Sequence, residues 1–220
     1  MRVLVVAPHP DDDVLGCGGT IAKRAVNGDE VYVCIVTKGK SPTFNSELVE
    51  RGRQEDLNAA EILGVKSTTF LDYPAAELDV VGLGKLSRCF IKIINDIKPD
   101  EVYIPHPGDM HFDHRIVSDA VMVGVRPKYE HVVKRVYTYE TLSETGWNIP
   151  SQNNDFIPTV YEDIADTLQL KLDAMAEFHS QLEEYPSPRS LDAIEALAKY
   201  RGSTVSVEYA EAFSLIREIK

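Results

Sequence analysis

Val3-Leu4-Val5-Val6-Ala7-Pro8 runs straight into His9-Pro10-Asp11-Asp12-Asp13, and Val14-Leu15-Gly16-Cys17-Gly18-Gly19 follows. A run of apolar, mostly β-branched residues reads as a strand buried on both faces, hence central and parallel. Ligands of open α/β sheets bind outside the carboxyl ends of such strands. Here that end carries an imidazole and three carboxylates. Adjacent acids repel one another unless a cation or strong donors sit among them, so the turn reads as part of a metal site.

Outward from this turn, strands and helices alternate. A helix over Leu15–Asn27 closes at Gly28, which suits a left-handed cap, and Val31–Val36 is a second buried strand. Ser46–Leu63 is helical, Ser67–Leu71 a short strand, and Leu83–Lys98 an amphipathic helix stopped by Pro99. Glu101–Pro105, Arg115–Gly124 and Val132–Thr138 continue as strand, helix and strand. This alternation predicts an α/β fold: a Rossmann-like, open, mostly parallel sheet with helices on both faces. Ser143–Pro158 is polar, and beyond it lie helical stretches over Ile164–Tyr185 and Ser190–Lys199 and a closing segment, Tyr209–Ile219. No linker or repeat separates them. Residues 1–220 therefore read as one domain whose C-terminal α+β extension covers the active-site edge.

The chain carries 23 basic and 35 acidic residues, a formal charge of −12. That argues against nonspecific binding to nucleic acid or to an anionic membrane. No apolar stretch approaches the roughly 20 residues of a membrane span, and strand residues begin right after Met1-Arg2, which leaves no room for a secretory signal. Cys17, Cys34 and Cys89 are far apart and form no C-x-x-C pair. They fit reduced thiols of a cytoplasmic protein.

The fourth strand delivers a second cluster, His106-Pro107-Gly108-Asp109-Met110-His111-Phe112-Asp113-His114-Arg115. Two clusters that each follow a strand of one parallel sheet meet at its carboxyl edge. A catalytic zinc takes three N/O protein ligands and keeps one position open. His9 and Asp12 supply two, and a histidine of the second cluster supplies the third. Imidazole and carboxylate suit Zn2+ and also Fe2+. Asp11 can accept a proton from a metal-activated water, and His111, steadied by Asp113, can donate one to a leaving amine. His106 reads as a loop residue, and Arg189 and Asp109 as substrate contacts. Gly16-x-Gly18-Gly19 is not a dinucleotide fingerprint, because Ile21 holds the third glycine place and carboxylates stand where pyrophosphate needs positive potential.

At these residues the chain resembles the LmbE-like/PIG-L zinc deacetylases. Ala7-Pro8-His9-Pro10-Asp11-Asp12-Asp13 with Gly16, Gly18 and Gly19 is similar to their H-P-D-D-E signature, and His111-Phe112-Asp113-His114 to their H-P-D-H. The likeness continues through Glu55, Ala59, Leu63-Gly64, Pro188-Arg189-Ser190, Tyr200-Arg201-Gly202 and Tyr209–Phe213. Asp13 stands in place of the signature's Glu, Phe112 in place of its Pro, and Gly52 where members often carry Arg. The resemblance implies His9, Asp12 and His114 as zinc ligands, Asp11 as general base, and His111 as acid or oxyanion partner oriented by Asp113. It implies a metal-dependent amidase that removes acetyl from an N-acetylated amino sugar or sugar conjugate by attack of metal-activated water. It also implies a homo-oligomer, as many bacterial members are. A metal-dependent phosphoesterase and a non-catalytic sugar-binding protein are the alternatives. The first needs additional carboxylates bridging a second metal, and the intact acid/base set argues against the second.

Overall fold

The computed structural model describes residues 1–220. In chain order its elements are β1 (Arg2–Ala7), α1 (Asp12–Val26), β2 (Glu30–Lys38), α2 (Ser46–Ile62), β3 (Ser67–Pro74), α3 (Leu78–Val81) and α4 (Leu83–Ile97). There follow β4 (Glu101–Pro105), α5 (Phe112–Gly124), β5 (Arg135–Tyr139), β6 (Val160–Asp163), α6 (Leu168–Ala176), α7 (Leu191–Ser203) and β7 (Ala210–Glu218). One sheet holds all seven strands in the order β3-β2-β1-β4-β5-β7-β6. The first five strands are parallel, and β7 runs antiparallel to both β5 and β6.

β1 sits in the middle and its side chains alternate between two cores. Val3, Val5 and Ala7 pack with α1, α2 and α6 on one face, while Leu4 and Val6 pack with α3, α4 and α5 on the other. Each fully buried Val or Leu here contributes about 1.5–3 kcal/mol over its exposed state. Strand order reverses at β1, since the chain moves outward through β2 and β3 and then returns to β4 on its other side. The residues after β1 and β4 thus flank the crevice where an open α/β sheet places its ligand.

Several boundaries differ from the sequence reading. α1 starts at Asp12 instead of Leu15, because Asp11 turns the chain in a left-handed conformation (φ 98°, ψ −29°). Asp12 and Asp13 then fill the first helical turn, where the positive end of the helix dipole favours carboxylates. α5 likewise begins at Phe112, with His111 as its N-cap. β3 extends to Pro74, and β5 begins only at Arg135. Of Ile164–Tyr185, only Leu168–Ala176 is helical. Beyond it, the Ser180 N–H and hydroxyl donate to the Glu55 carboxylate of α2, which satisfies the backbone without another helical turn. β6 and α3 were not expected.

The C-terminal extension both widens the sheet and reaches its carboxyl edge. β6 and β7 widen the sheet, and α6 packs beside α1 on one face. The segment between α6 and α7 brings Phe178, Gln181 and Arg189 to the carboxyl end of the sheet. A buried ion pair fastens this extension: Lys171 Nζ lies 2.6 Å from Glu211 and donates to the Leu15 carbonyl, while Glu211 accepts from the Gly19 and Thr20 N–H groups. Gly16 permits the close approach of α1 to the sheet, since a β-carbon there would overlap the Tyr139 ring, itself pinned by its hydroxyl to the Val6 carbonyl at 2.9 Å. No helix is long and apolar enough to cross a membrane.

Candidate metal and active site

The turn after β1 is held at its base by Thr37 of β2, whose N–H and hydroxyl both donate to the Pro8 carbonyl at 3.0 and 2.8 Å. His9 then faces Asp12. The Asp12 Oδ2 atom accepts from the His9 N–H at 2.9 Å and lies 3.2 Å from both His9 Nδ1 and His114 Nε2. His114 comes from the first turn of α5, so the site joins the segments that follow β1 and β4. Ligand atoms of His9, Asp12 and His114 all lie within 4.8 Å of one another.

The chemistry of the donors fits a metal ion. Asp12 Oδ1 and His114 Nε2 are buried with no hydrogen-bond partner, a costly arrangement unless something binds there. Each imidazole is backed by a carboxylate: His9 Nε2 lies 3.1 Å from Asp113, and His114 Nδ1 lies 2.8 Å from Asp109. Imidazoles that bind metal through one nitrogen characteristically give the other to such a partner, which fixes the tautomer. A second group, His9 with His111 and Asp113, is also compact. It would use as a ligand the carboxylate that backs His9, so the first group fits better.

The electrostatics follow from this packing. Burial acts against charge on His9, but its hydrogen bonds with Asp113 and Asp12 raise it to about 9. Burial also opposes charge on His114, yet Asp12 and Asp109 raise it to about 10. Burial would raise Asp12, but the His114 charge 3.2 Å away and the adjoining His9 imidazole hold it well below the usual carboxylate range. Asp11 is pushed the other way, up to about 7, by burial, with Arg189 pulling against it and Asp12 adding to it. Arg189 Nη1 stands 3.2 Å from Asp11 without hydrogen-bond alignment, so both Asp11 oxygens lack a hydrogen-bond partner. Asp13 is buried in the same turn, and burial raises it to about 7.

Two expectations are corrected. The Asp113 carboxylate does not orient His111. It accepts from the Ala76 and Leu78 N–H groups and is thereby held on the side of His9. His111 is instead fixed as the N-cap of α5, its Nδ1 accepting from the Asp113 N–H at 3.1 Å. Asp109 is not a substrate contact. It is fully buried behind His114, with its other oxygen accepting from the Thr145 hydroxyl at 2.6 Å. Its place five residues before His114, about one helical turn and a bend away, was the available signal for that pairing. His106 takes the loop role expected of it, with Nε2 3.1 Å from the Asn154 carbonyl. Arg189 lines the cavity and is positioned by Gln181 at 2.6 Å and Ser143 at 3.2 Å.

The cavity above these groups measures about 420 Å³ and includes His9, Asp11, His111, Glu144 and Arg189 in its lining. Phe44, Leu48 and Val49 also line it, and nothing in their local sequence marked them. Three N/O donors within 4.8 Å of one another, of which His9 reaches the cavity, beside the unbonded and cavity-lining Asp11, fit a hydrolytic metal centre.

The family model described as PIG-L, GlcNAc-PI de-N-acetylase, matches residues 4–124, more than half of the chain. The chain belongs to that family. It is 27% identical to the diacetylchitobiose deacetylase of Thermococcus kodakarensis over 98% of this chain and 83% of that protein. It is 31% identical to a protein named uncharacterized deacetylase YaiS of Escherichia coli, over 81% of this chain and 90% of that one. Among solved structures, the conserved protein TT1542 of Thermus thermophilus superposes with a TM-score of 0.81 at 27% identity, covering 99% of this chain and 96% of that one.

Proposed function

We propose that this chain is a metal-dependent N-deacetylase that hydrolyses the acetamide of an N-acetylated amino sugar or sugar conjugate. The observation that carries this reading is the grouping of two carboxylate-backed imidazoles with Asp12, beside an unbonded Asp11 that lines the cavity with His9. The names of the relatives support the acetamide as the bond. His9, Asp12 and His114 are assigned to the metal, Zn2+ or Fe2+, both of which this donor set serves. A bound divalent ion supplies a Lewis acid for the carbonyl oxygen and lowers the pKa of water.

The protein groups divide the remaining work. Asp11, poised near 7, takes the proton from the attacking water and returns it to the nitrogen as the C–N bond breaks, leaving acetate and a free amine. His111 accepts through Nδ1, so its Nε2 carries the proton and points a donor to the developing oxyanion. Burial and the nearby His9 charge push His111 down to about 4, which keeps it neutral and a hydrogen-bond donor. Asp113 and Asp109 act through His9 and His114 respectively, and Arg189 holds Asp11 and faces the substrate. We read residues 1–220 as one catalytic domain, since a single sheet joins its first and last strands. A cytoplasmic location is supported by three unpaired cysteines, and a homo-oligomer by the exposed Met110, Trp147 and Ile149 on adjoining loops and Phe112 at the start of α5.

Asp11→Asn tests the reading, because Asn tolerates the left-handed backbone better than Ala. The variant is expected to keep its metal, measured by elemental analysis, while acetate release from an N-acetylglucosaminide falls by roughly 10²–10⁴-fold. Unchanged turnover would remove Asp11 as the base.

A further inference from the structure

The cavity is lined by two chemically unlike sets of side chains. Beside the ligand and proton-transfer groups stands an apolar wall of Phe44, Leu48 and Val49 from the segment entering α2. Phe44 and Leu48 remain 37% and 56% exposed, which is large apolar surface left open inside a binding cavity. The wall is built against Gly39, where an added β-carbon would stand 2.8–2.9 Å from Phe44 and Val49.

Each lysine and arginine lining the cavity already faces a carboxylate. Lys38 is paired with Glu50, Arg53 with Asp72, and Arg189 with Asp11. Arg53 also lies over the Phe70 ring at 4.5 Å. Glu144 adds a carboxyl to the lining, and the chain as a whole carries −12. A phosphate or carboxylate on the substrate would have to displace a protein carboxylate and enter against this field. An uncharged ring meets neither obstacle.

Resting on the deacetylase reading above, we propose that the group joined to the N-acetylated sugar is uncharged and presents an apolar ring face to Phe44, Leu48 and Val49. Substrates whose adjoining group is phosphate or carboxylate are discriminated against. The test compares phenyl N-acetyl-β-glucosaminide with N-acetylglucosamine 1-phosphate. Binding of each to the metal-stripped but otherwise unaltered protein, in which Asp11 still faces Arg189, is measured by calorimetry, and acetate release by the metal-loaded protein is measured on both. The phenyl glycoside is expected to bind at least tenfold more tightly. Leu48→Asp, at an exposed position, and Gly39→Val, which displaces the wall, are each expected to shrink that ratio severalfold. Equal or tighter binding of the phosphate, or a ratio unmoved in both variants, overturns the inference. Preferential phenyl binding with no acetate released leaves it standing and removes the deacetylase reading. Acetate from both compounds with the phosphate preferred does the reverse.

Discussion

Asp109 and Asp113 show how little a carboxylate's sequence neighbour says about its partner. Both lie within five residues of His111 and His114, and either could serve either ring. The choice is made by groups from elsewhere: Ala76 and Leu78 N–H hold Asp113 toward His9, and Thr145 holds Asp109 against His114. Asp12, with Asp113 behind His9 and Asp109 behind His114, keeps both imidazoles protonated at neutral pH in the metal-free protein, raising them from 6.5 to about 9 and about 10. Metal ligands must be neutral imidazoles, so binding releases those protons and apparent affinity rises with pH toward 9. Titrating metal into the stripped protein in buffers of different ionisation enthalpy measures that release, and affinity independent of pH between 6 and 8 would refute it. The linkage has a second consequence for the metal-free fold. Groups raised above their unfolded values stabilise it fully below about 6.5, a contribution lost as pH climbs through 9 to 10. Asp109→Asn removes the charge behind His114 and is expected to weaken metal binding about 10–100-fold. An unchanged dissociation constant would show that Asp109 merely fills space.

Among the elements, those with strong local signals were legible and those defined by partners were not. β1 and β4 announce themselves as short apolar runs, and each hands its histidines to the same edge. β6 has only four residues and pairs solely with β7, so no local pattern distinguishes it from the polar stretch before it. The wall of Phe44, Leu48 and Val49 depends on how α2 enters the fold, which no spacing encodes. The join between α1, α6 and β7 depends on Lys171 and Glu211. Their pair meets both sides of the α1 backbone ladder, through Leu15 on one side and Gly19 and Thr20 on the other. Glu211→Ala leaves a buried ammonium and two N–H groups without their acceptor and is expected to cost about 3–5 kcal/mol in urea unfolding. The double change Lys171→Met with Glu211→Leu removes the stranded charge and is expected to recover part of that loss. A single variant no less stable than the parent would show the pair to be dispensable.

For the molecule as a whole, a metal held as proposed by His9, Asp12 and His114 would be a structural ligand as well as a chemical one, because those residues stand at the ends of two strands and the starts of two helices. A ligand at about 100 times its dissociation constant stabilises the folded state by about 2.7 kcal/mol. For a domain of this size each kcal/mol moves Tm by about 2–4 °C. Scanning calorimetry with Zn2+ and with chelator is therefore expected to differ by roughly 5–10 °C, and coincident transitions would argue against a site at His9, Asp12 and His114.

The order β5-β7-β6 bears also on how the molecule is made. β7 is synthesised after β5 and β6 yet lies between them. Until residues 210–218 leave the ribosome, β5 presents an open edge and β6 has no neighbour at all. An uncovered strand edge is a template for pairing with other chains, and long-range strand pairing is slow. The nascent protein thus carries an aggregation hazard between the synthesis of β5 and that of β7. Chaperone dependence should rise with the delay before that last strand emerges.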